Sequence, residues 1–219
     1  MSGPVLRSCG ERAVLVELAD LGQVMAASRW IRAAVGNAEP GFARVVDVVP
    51  AARTVLVGLA DRCGADDLDR LRRALVAVDL AADADRTTDD GDPIEIPVHY
   101  DGDDLAEIAA RTGLDESEVI AAHTGTPWQV AFCGFAPGFA YLVGGDERLR
   151  VPRRDSPRTA VPAGSVALAG EFSAVYPRSS PGGWQLLGRT ELEVWDTRRD
   201  PAALLAPGAR VRFVDASPG

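Results

Sequence analysis

Residues 161–190 read VPAGSVALAGEFSAVYPRSSPGGWQLLGRT. Two short, largely apolar runs, 166–169 and 184–187, are four residues long; the first lies between Gly164-Ser165 and Gly170, the second between Gly183 and Gly188. Runs that short cannot present a helical face, and the turn residues around them leave each run extended, so they predict strands. The same texture extends outward in both directions. Apolar runs at 128–132, 192–195 and 211–214 alternate with Gly- and Pro-rich breaks, as in a barrel or sandwich built from many short strands.

Upstream of this region the period changes. Residues 94–98 predict a strand and 103–111 a short helix. A second helix opens on Asp115, with Glu118 three residues later as a capping box, and stops near His123-Thr124-Gly125. Further back, 83–93 (DADRTTDDGDP) is acidic and rich in turn residues, with little to bury, and marks a boundary. Before it lie strands at 5–7 and 13–18, then a helix over 21–35 with Val24, Ala27, Ile31 and Ala34 on one face. Strands at 45–49 and 54–57 flank Pro50, and a helix over 67–82 carries Leu68, Leu71, Leu75 and Val78 on one side. The fold class is therefore α+β. A small α/β domain over 1–84, an antiparallel sheet with helices on one side, is followed by an acidic linker over 85–93 and a β-rich domain over 94–219.

Composition narrows the chemistry. The 219 residues carry a net charge of −9, and all 23 cations are arginine, because the chain has no lysine. Schiff-base lysines and P-loop lysines are excluded. The acidic balance argues against a nucleic-acid partner. No apolar run is long enough for a membrane span and the first residues lack the apolar core of a signal peptide, so a cytoplasmic location is expected. Three widely spaced cysteines and two histidines suggest neither a disulfide framework nor a metal site.

The charge is unevenly spread. From Arg148 to Arg189 there are seven arginines (148, 150, 153, 154, 158, 178 and 189) against two acids, Asp155 and Glu171. A positive island on an acidic chain suits a small anionic substrate, although the same arginines could be neutralised by the chain's own carboxylates. Glycine-rich stretches at 134–138, 163–165 and 181–184 could bring backbone N–H groups close to a ligand or could be barrel turns. Of the two histidines, His123 is better placed as a general base or hydrogen-bond donor, and His99 reads as structural. Ser165, His123 and Asp155 could be drawn as a triad, but no GxSxG elbow surrounds Ser165.

The series Gly134-Phe135-x-Pro137-Gly138-Phe139-x-Tyr141-Leu142, Pro152-Arg153, Pro157-Arg158-Thr159 and Val161-Pro162-Ala163-Gly164-Ser165-Val166 continues in order. It is followed by Tyr176-Pro177, Ser180-Pro181-Gly182-Gly183-Trp184 and Gly188-Arg189-Thr190. This order resembles the family of 5-oxoprolinase B subunits, also called allophanate hydrolase subunit 1 or the KipI-like family, the first half of a carboxyltransferase-type module. The resemblance implies a cyclophilin-like β-barrel for the second domain. It implies one component of an ATP-dependent hydrolase that opens the cyclic amide of 5-oxo-L-proline to L-glutamate, inactive alone. Its partners would be the homologous barrel protein of that complex, the C component, together with a third protein, the A component. ATP, with Mg, would be used by the whole complex, with nothing tightly bound in this chain. Alternatives within the resemblance are a urea-pathway carboxyltransferase half and an inhibitor of a histidine kinase. It assigns catalytic roles to His123, Arg153, Arg158 and Ser165. Substrate or anion contacts fall to Gly134, Pro137, Tyr141, Thr159, Gly164, Tyr176, Gly182, Gly183 and Trp184.

Overall fold

A computed structural model describes residues 4–76 and 92–216, which fall into two compact units on either side of residue 88. The first unit is a four-stranded antiparallel sheet in the order β1-β2-β4-β3, formed by β1 (Val5–Ser8), β2 (Ala13–Glu17), β3 (Val45–Pro50) and β4 (Thr54–Leu59). Alternation sends Val14, Val16, Val55 and Val57 to one face, each almost fully buried. Against that face lie α1 (Leu21–Gly36) and α2 (Ala65–Val76), through Val24, Ala27, Ile31, Ala34, Leu71 and Leu75. Helix α1 starts where the Asp20 carboxylate accepts the Gln23 amide at 2.8 Å. Helix α2 begins two residues earlier than the sequence suggested. Its expected continuation to residue 82, and most of the expected linker, lie outside the described residues.

The second unit opens with β5 (Ile94–Val98), α3 (Leu105–Thr112) and α4 (Glu116–Gly125). The Asp115–Glu118 capping box at the start of α4 is complete, with both reciprocal hydrogen bonds formed. Then come β6 (Trp128–Cys133), β7 (Ala140–Val143), β8 (Arg158–Val161), β9 (Ser165–Ala169), β10 (Phe172–Val175), β11 (Ser180–Gly182), β12 (Gln185–Arg189) and β13 (Arg210–Asp215). Seven of these strands form one sheet in the order β12-β9-β10-β7-β6-β13-β5, while β8 and β11 pair as a separate ribbon. Only the β13–β5 pairing is parallel.

The two ends of the seven-stranded sheet meet. His99, just past β5, exchanges both backbone hydrogen bonds with Arg189 of β12, at 2.8 and 2.9 Å, so the sheet curls into a nearly closed barrel. The seam leaves no room for side chains on two glycines. A Cβ on Gly188 would lie 2.1 Å from the His99 carbonyl oxygen, and one on Gly102 2.3 Å from that of Leu186. Inside the barrel Ile96, Val98, Val130, Leu142, Val166, Leu168, Leu187, Val211 and Phe213 form one core, capped by Ile108 and Val119 of the two helices. Full burial of each such side chain contributes roughly 1.5–3 kcal/mol.

Every residue of β9 is buried, because both faces of this strand are covered. Val166 and Leu168 point into the barrel, whereas Ala167 and Ala169 face outward with Ala174 of β10. These small outward residues leave space for an aromatic layer of Phe139, Tyr176 and Trp184. Strands β7, β8, β10 and β11 were not anticipated from the sequence. Conversely, 192–195, expected to be a strand, is not one. The Leu192 amide donates to Thr190 Oγ1 at 3.2 Å, closing a turn, and Trp195 makes only a single bridge, with Ala203. Val194 is nonetheless buried in the barrel core, so its apolar alternation reports burial rather than a ladder.

The seam yields a direct test. Gly188→Ala must push a methyl group into backbone, and we expect it to destabilise the fold by about 3 kcal/mol. Gly125→Ala, at the end of α4 with nothing within 4 Å, should be neutral or stabilising by up to about 1 kcal/mol. Urea midpoints for the two variants check this; equal midpoints would show that the seam is not the tight point.

Candidate functional site

On the outer face of the barrel the aromatic layer is open to solvent on one side. A cleft of about 260 Å³ is lined by Phe135, Phe139, Tyr141, Arg153, Pro157, Tyr176, Pro181, Gly182, Gly183 and Trp184. Six of the residues named by the sequence therefore meet here: Tyr141, Arg153, Tyr176, Gly182, Gly183 and Trp184. Rings stack edge to face around its floor, with Phe139 at 5.3 Å from Tyr176 and 5.6 Å from Trp184. Gly182 is required by this packing, since a Cβ would come within 2.3 Å of the Tyr176 hydroxyl. Burial raises the Tyr141 phenol above its usual range, with the Arg153 charge opposing, and Tyr176 is raised for the same reason. Both phenols are therefore neutral hydrogen-bonding groups at pH 7.

Arg153 is exposed and stands over the Trp184 ring, its Cζ 6.0 Å from the ring centroid. It has no carboxylate partner among the described residues, which sets it apart from most of the arginine island. Arg148 pairs with Asp146, Arg150 with Glu147 and Glu171, and Arg189 with Asp101. Arg154 and Arg158 converge on Asp104. The Asp104 Oδ1 accepts from Arg154 Nη1 at 2.5 Å and Arg158 Nη2 at 2.8 Å, and Oδ2 accepts the Leu186 amide at 2.7 Å. Asp104 is only 2% exposed. Burial by itself would raise its carboxyl, but the hydrogen bonds from Arg158 and Leu186 and the charges of both guanidiniums outweigh it and hold it below the usual carboxylate range.

The remaining sequence candidates lie elsewhere. Gly134 and Pro137 belong to the turn above the cleft, where the Gly134 amide donates to the Phe139 carbonyl and Phe135 adopts φ +68°. Thr159 is exposed on β8. Gly164 lines a separate cleft of about 320 Å³ on the other side of Tyr176, with Glu191, Glu193 and Trp195. Its amide is donated to the Tyr176 carbonyl at 2.8 Å. The two glutamates would repel an anion from that cleft. Ser165 is buried at the start of β9, away from the lining of the Arg153 cleft. Phe135, Phe139 and Pro157 were not singled out, although all three lie inside the quoted motifs, and Pro181 lines the cleft with the 181–184 loop to which it belongs.

His123 is not among the residues that line this cleft. It is fully buried in the barrel core, stacked on Phe213 at 4.2 Å, with Nδ1 2.8 Å from the Tyr100 hydroxyl and Nε2 3.0 Å from Ser173 Oγ. Burial lowers its pKa to about 3. This imidazole, neutral and hydrogen-bonded on both nitrogens, packs the core rather than lining the cleft. No group of three or more potential metal ligands gathers among the described residues, and no helix there is long and apolar enough to cross a membrane.

Residues 4–205 match the family model for the carboxyltransferase domain, subdomain C and D. The chain belongs to that family. A protein of Escherichia coli O157:H7, named as the B subunit of 5-oxoprolinase, is 39% identical over 215 residues, covering 96% of this chain and 95% of that one. The solved structure of TTHA0988 superposes with a TM-score of 0.78 at 35% identity, over 95% of this chain but only 41% of its own length. The urea carboxylase of Kluyveromyces lactis superposes with a TM-score of 0.69 at 18% identity, covering 98% of this chain and 22% of the enzyme, a likeness of fold alone.

The buried imidazole carries a stability prediction with a fixed sign. Its folded pKa lies below the ordinary value of 6.5, so the unfolded chain binds a proton that the folded one refuses. Stability therefore falls as pH drops from about 6.5 towards 3, by about 2 kcal/mol between pH 7 and pH 5. In His123→Gln that contribution to the pH slope should vanish, as read from urea midpoints at the two pH values. An unchanged slope would mean that His123 titrates normally in the fold.

Proposed function

We propose that this chain is the B subunit of an ATP-dependent 5-oxoprolinase. In that complex it would act with a homologous barrel protein, the C component, and with the A component to convert 5-oxo-L-proline to L-glutamate. The name and full-length coverage of the Escherichia coli relative support this reading. On it, the barrel-like unit is the cyclophilin-like half of the carboxyltransferase module. The observation that carries the reading at the site is Arg153, a guanidinium without a carboxylate partner among the described residues, on the wall of an aromatic cleft.

5-Oxoproline is a small, flat lactam bearing one carboxylate. The Arg153 guanidinium offers a forked pair of donors that matches a carboxylate, and the rings of Trp184, Tyr141 and Phe139 offer a flat surface for the lactam. Gly182 and Gly183 let the backbone wall come close. A lactam resists hydrolysis because its nitrogen lone pair is delocalised, and phosphorylating its oxygen at the expense of ATP turns that oxygen into a leaving group. The part of this chain is to hold the carboxylate, orient the ring and keep water off its buried face. ATP and Mg would be bound by the assembled complex. A urea-pathway role draws its support from the likeness of fold to the urea carboxylase.

Co-expression of this chain with its two partner proteins should give a complex that releases ADP and glutamate from 5-oxoproline. Loss of a charge-assisted bond is worth about 1.5–3 kcal/mol, so Arg153→Ala should raise KM about 10- to 100-fold while leaving the complex assembled. Activity that persists without this chain, or an unaltered KM in the variant, would refute the assignment.

A further inference from the structure

Asp104 sits where an N-cap residue of α3 is expected, yet its carboxylate makes no capping bond to that helix. The hydrogen bonds of the carboxylate reach instead to segments that wall the Arg153 cleft. Oδ2 takes the Leu186 amide two residues after Trp184, and Oδ1 takes Arg154, the residue next to Arg153, together with Arg158. Those arginines are tied to the cleft by their own backbones. The Arg154 amide donates to the Gly183 carbonyl at 2.8 Å, and Arg158 is the ladder partner of Gly182 in the β8–β11 ribbon. Each guanidinium is held on Asp104 through one terminal nitrogen, while the buried Arg154 Nε and Arg158 Nη1 find no acceptor. Arg154 has a further carboxylate, that of Glu107, only at 3.9 Å, and Arg158 that of Asp103 at 3.8 Å.

The geometry points to Asp104 as the positioning residue of the cleft: a buried anion that never touches substrate but fixes the segments carrying Arg153, Gly182, Gly183 and Trp184. This deepens the reading of the Arg153 cleft as the substrate site and rests on it. Neutralising Asp104 leaves two guanidiniums sharing no charge at the point where the 152–158 segment is pinned, so the segment loosens and Arg153 loses its fixed place over Trp184. The effect falls on substrate binding more than on turnover.

A bare Asp104→Asn variant could lose affinity simply by being unstable, so it is paired with Asp104→Asn/Arg154→Gln/Arg158→Gln, in which no uncompensated charge remains. Two measurements are made on both: KM and kcat for 5-oxoproline in the assembled complex, and hydrogen exchange of the Arg154 amide in the chain without substrate. We expect the triple variant to regain the melting temperature of the parent, with KM still raised about tenfold and the amide of residue 154 exchanging at least tenfold faster. A purely structural role predicts that KM recovers together with stability, and either that recovery or an unchanged amide at 154 overturns the proposal. If the parent complex does not turn over 5-oxoproline at all but this amide is released in both variants, the substrate assignment fails and the positioning role stands.

Discussion

The second unit depends on one steric fact, that two strands meet at a seam with no room for side chains. Gly102 and Gly188 allow the chain after β5 to lie directly against β12, with the Gly102 amide on the Leu187 carbonyl at 3.1 Å and the Asp104 amide on that of Leu186 at 3.2 Å. Without that approach the sheet would keep two exposed edges, which proteins must otherwise cover or blunt. The same approach delivers Asp104 into the interior. A carboxylate taken out of water there is tolerable only if it is paired and fully hydrogen-bonded, and Arg154, Arg158 and Leu186 do this together. Barrel closure, the buried anion and the cleft wall are thus one chain of cause.

The arginine island looks different once its partners are known. Exposed pairs such as Arg148–Asp146 or Arg189–Asp101 contribute little to stability, about 0–1 kcal/mol each. What they do is cancel charge. Much of the positive excess that the sequence places between Arg148 and Arg189 is met by acids drawn from other segments, including Asp101 and Asp104. The cation on the wall of the cleft is Arg153, exposed over an aromatic ring and without a carboxylate partner among the described residues. The absence of lysine fits such a site: a permanently charged planar fork stacks on Trp184 in a way that an ammonium group would not.

Much of the architecture was legible in the residues, and the illegible parts have physical causes. Helix α1 and the start of α4 could be read because amphipathic period and capping are local properties. β7, β8, β10 and β11 could not. Ser180–Gly182 has no side-chain alternation to detect, and Arg158–Val161 and Phe172–Val175 mix small and polar residues whose burial is set by distant partners. The outward alanines of β9 and β10 carry no signal until the aromatics of the Gly134–Phe139 turn are seen to lie over them. The burial of His123 was hidden for a related reason. A histidine at a helix end before a glycine-rich stretch has the pattern of a catalytic base, and its hydrogen-bond partners, Tyr100 and Ser173, come from two other segments. Arg153, Tyr141, Tyr176 and the 182–184 stretch were visible as motif members, whereas Asp104 was hidden among the acids of an ordinary helix start.

The inventory of the cleft also bears on why such a chain would work in company. Its titratable groups are Arg153, which cannot serve as a base at any ordinary pH, and Tyr141 and Tyr176, whose phenols burial makes weaker acids still. None can take a proton from water at neutral pH or attack a carbonyl, and the one buried imidazole of the unit is held away in the core. A lining of one fixed cation, flat rings and close backbone binds and orients an anion, which lowers the entropic part of a barrier but not the cost of moving protons. On the proposed function, the groups that activate water and stabilise the transferring phosphoryl must therefore come from the partner proteins, and the cleft of this chain is half of a composite site.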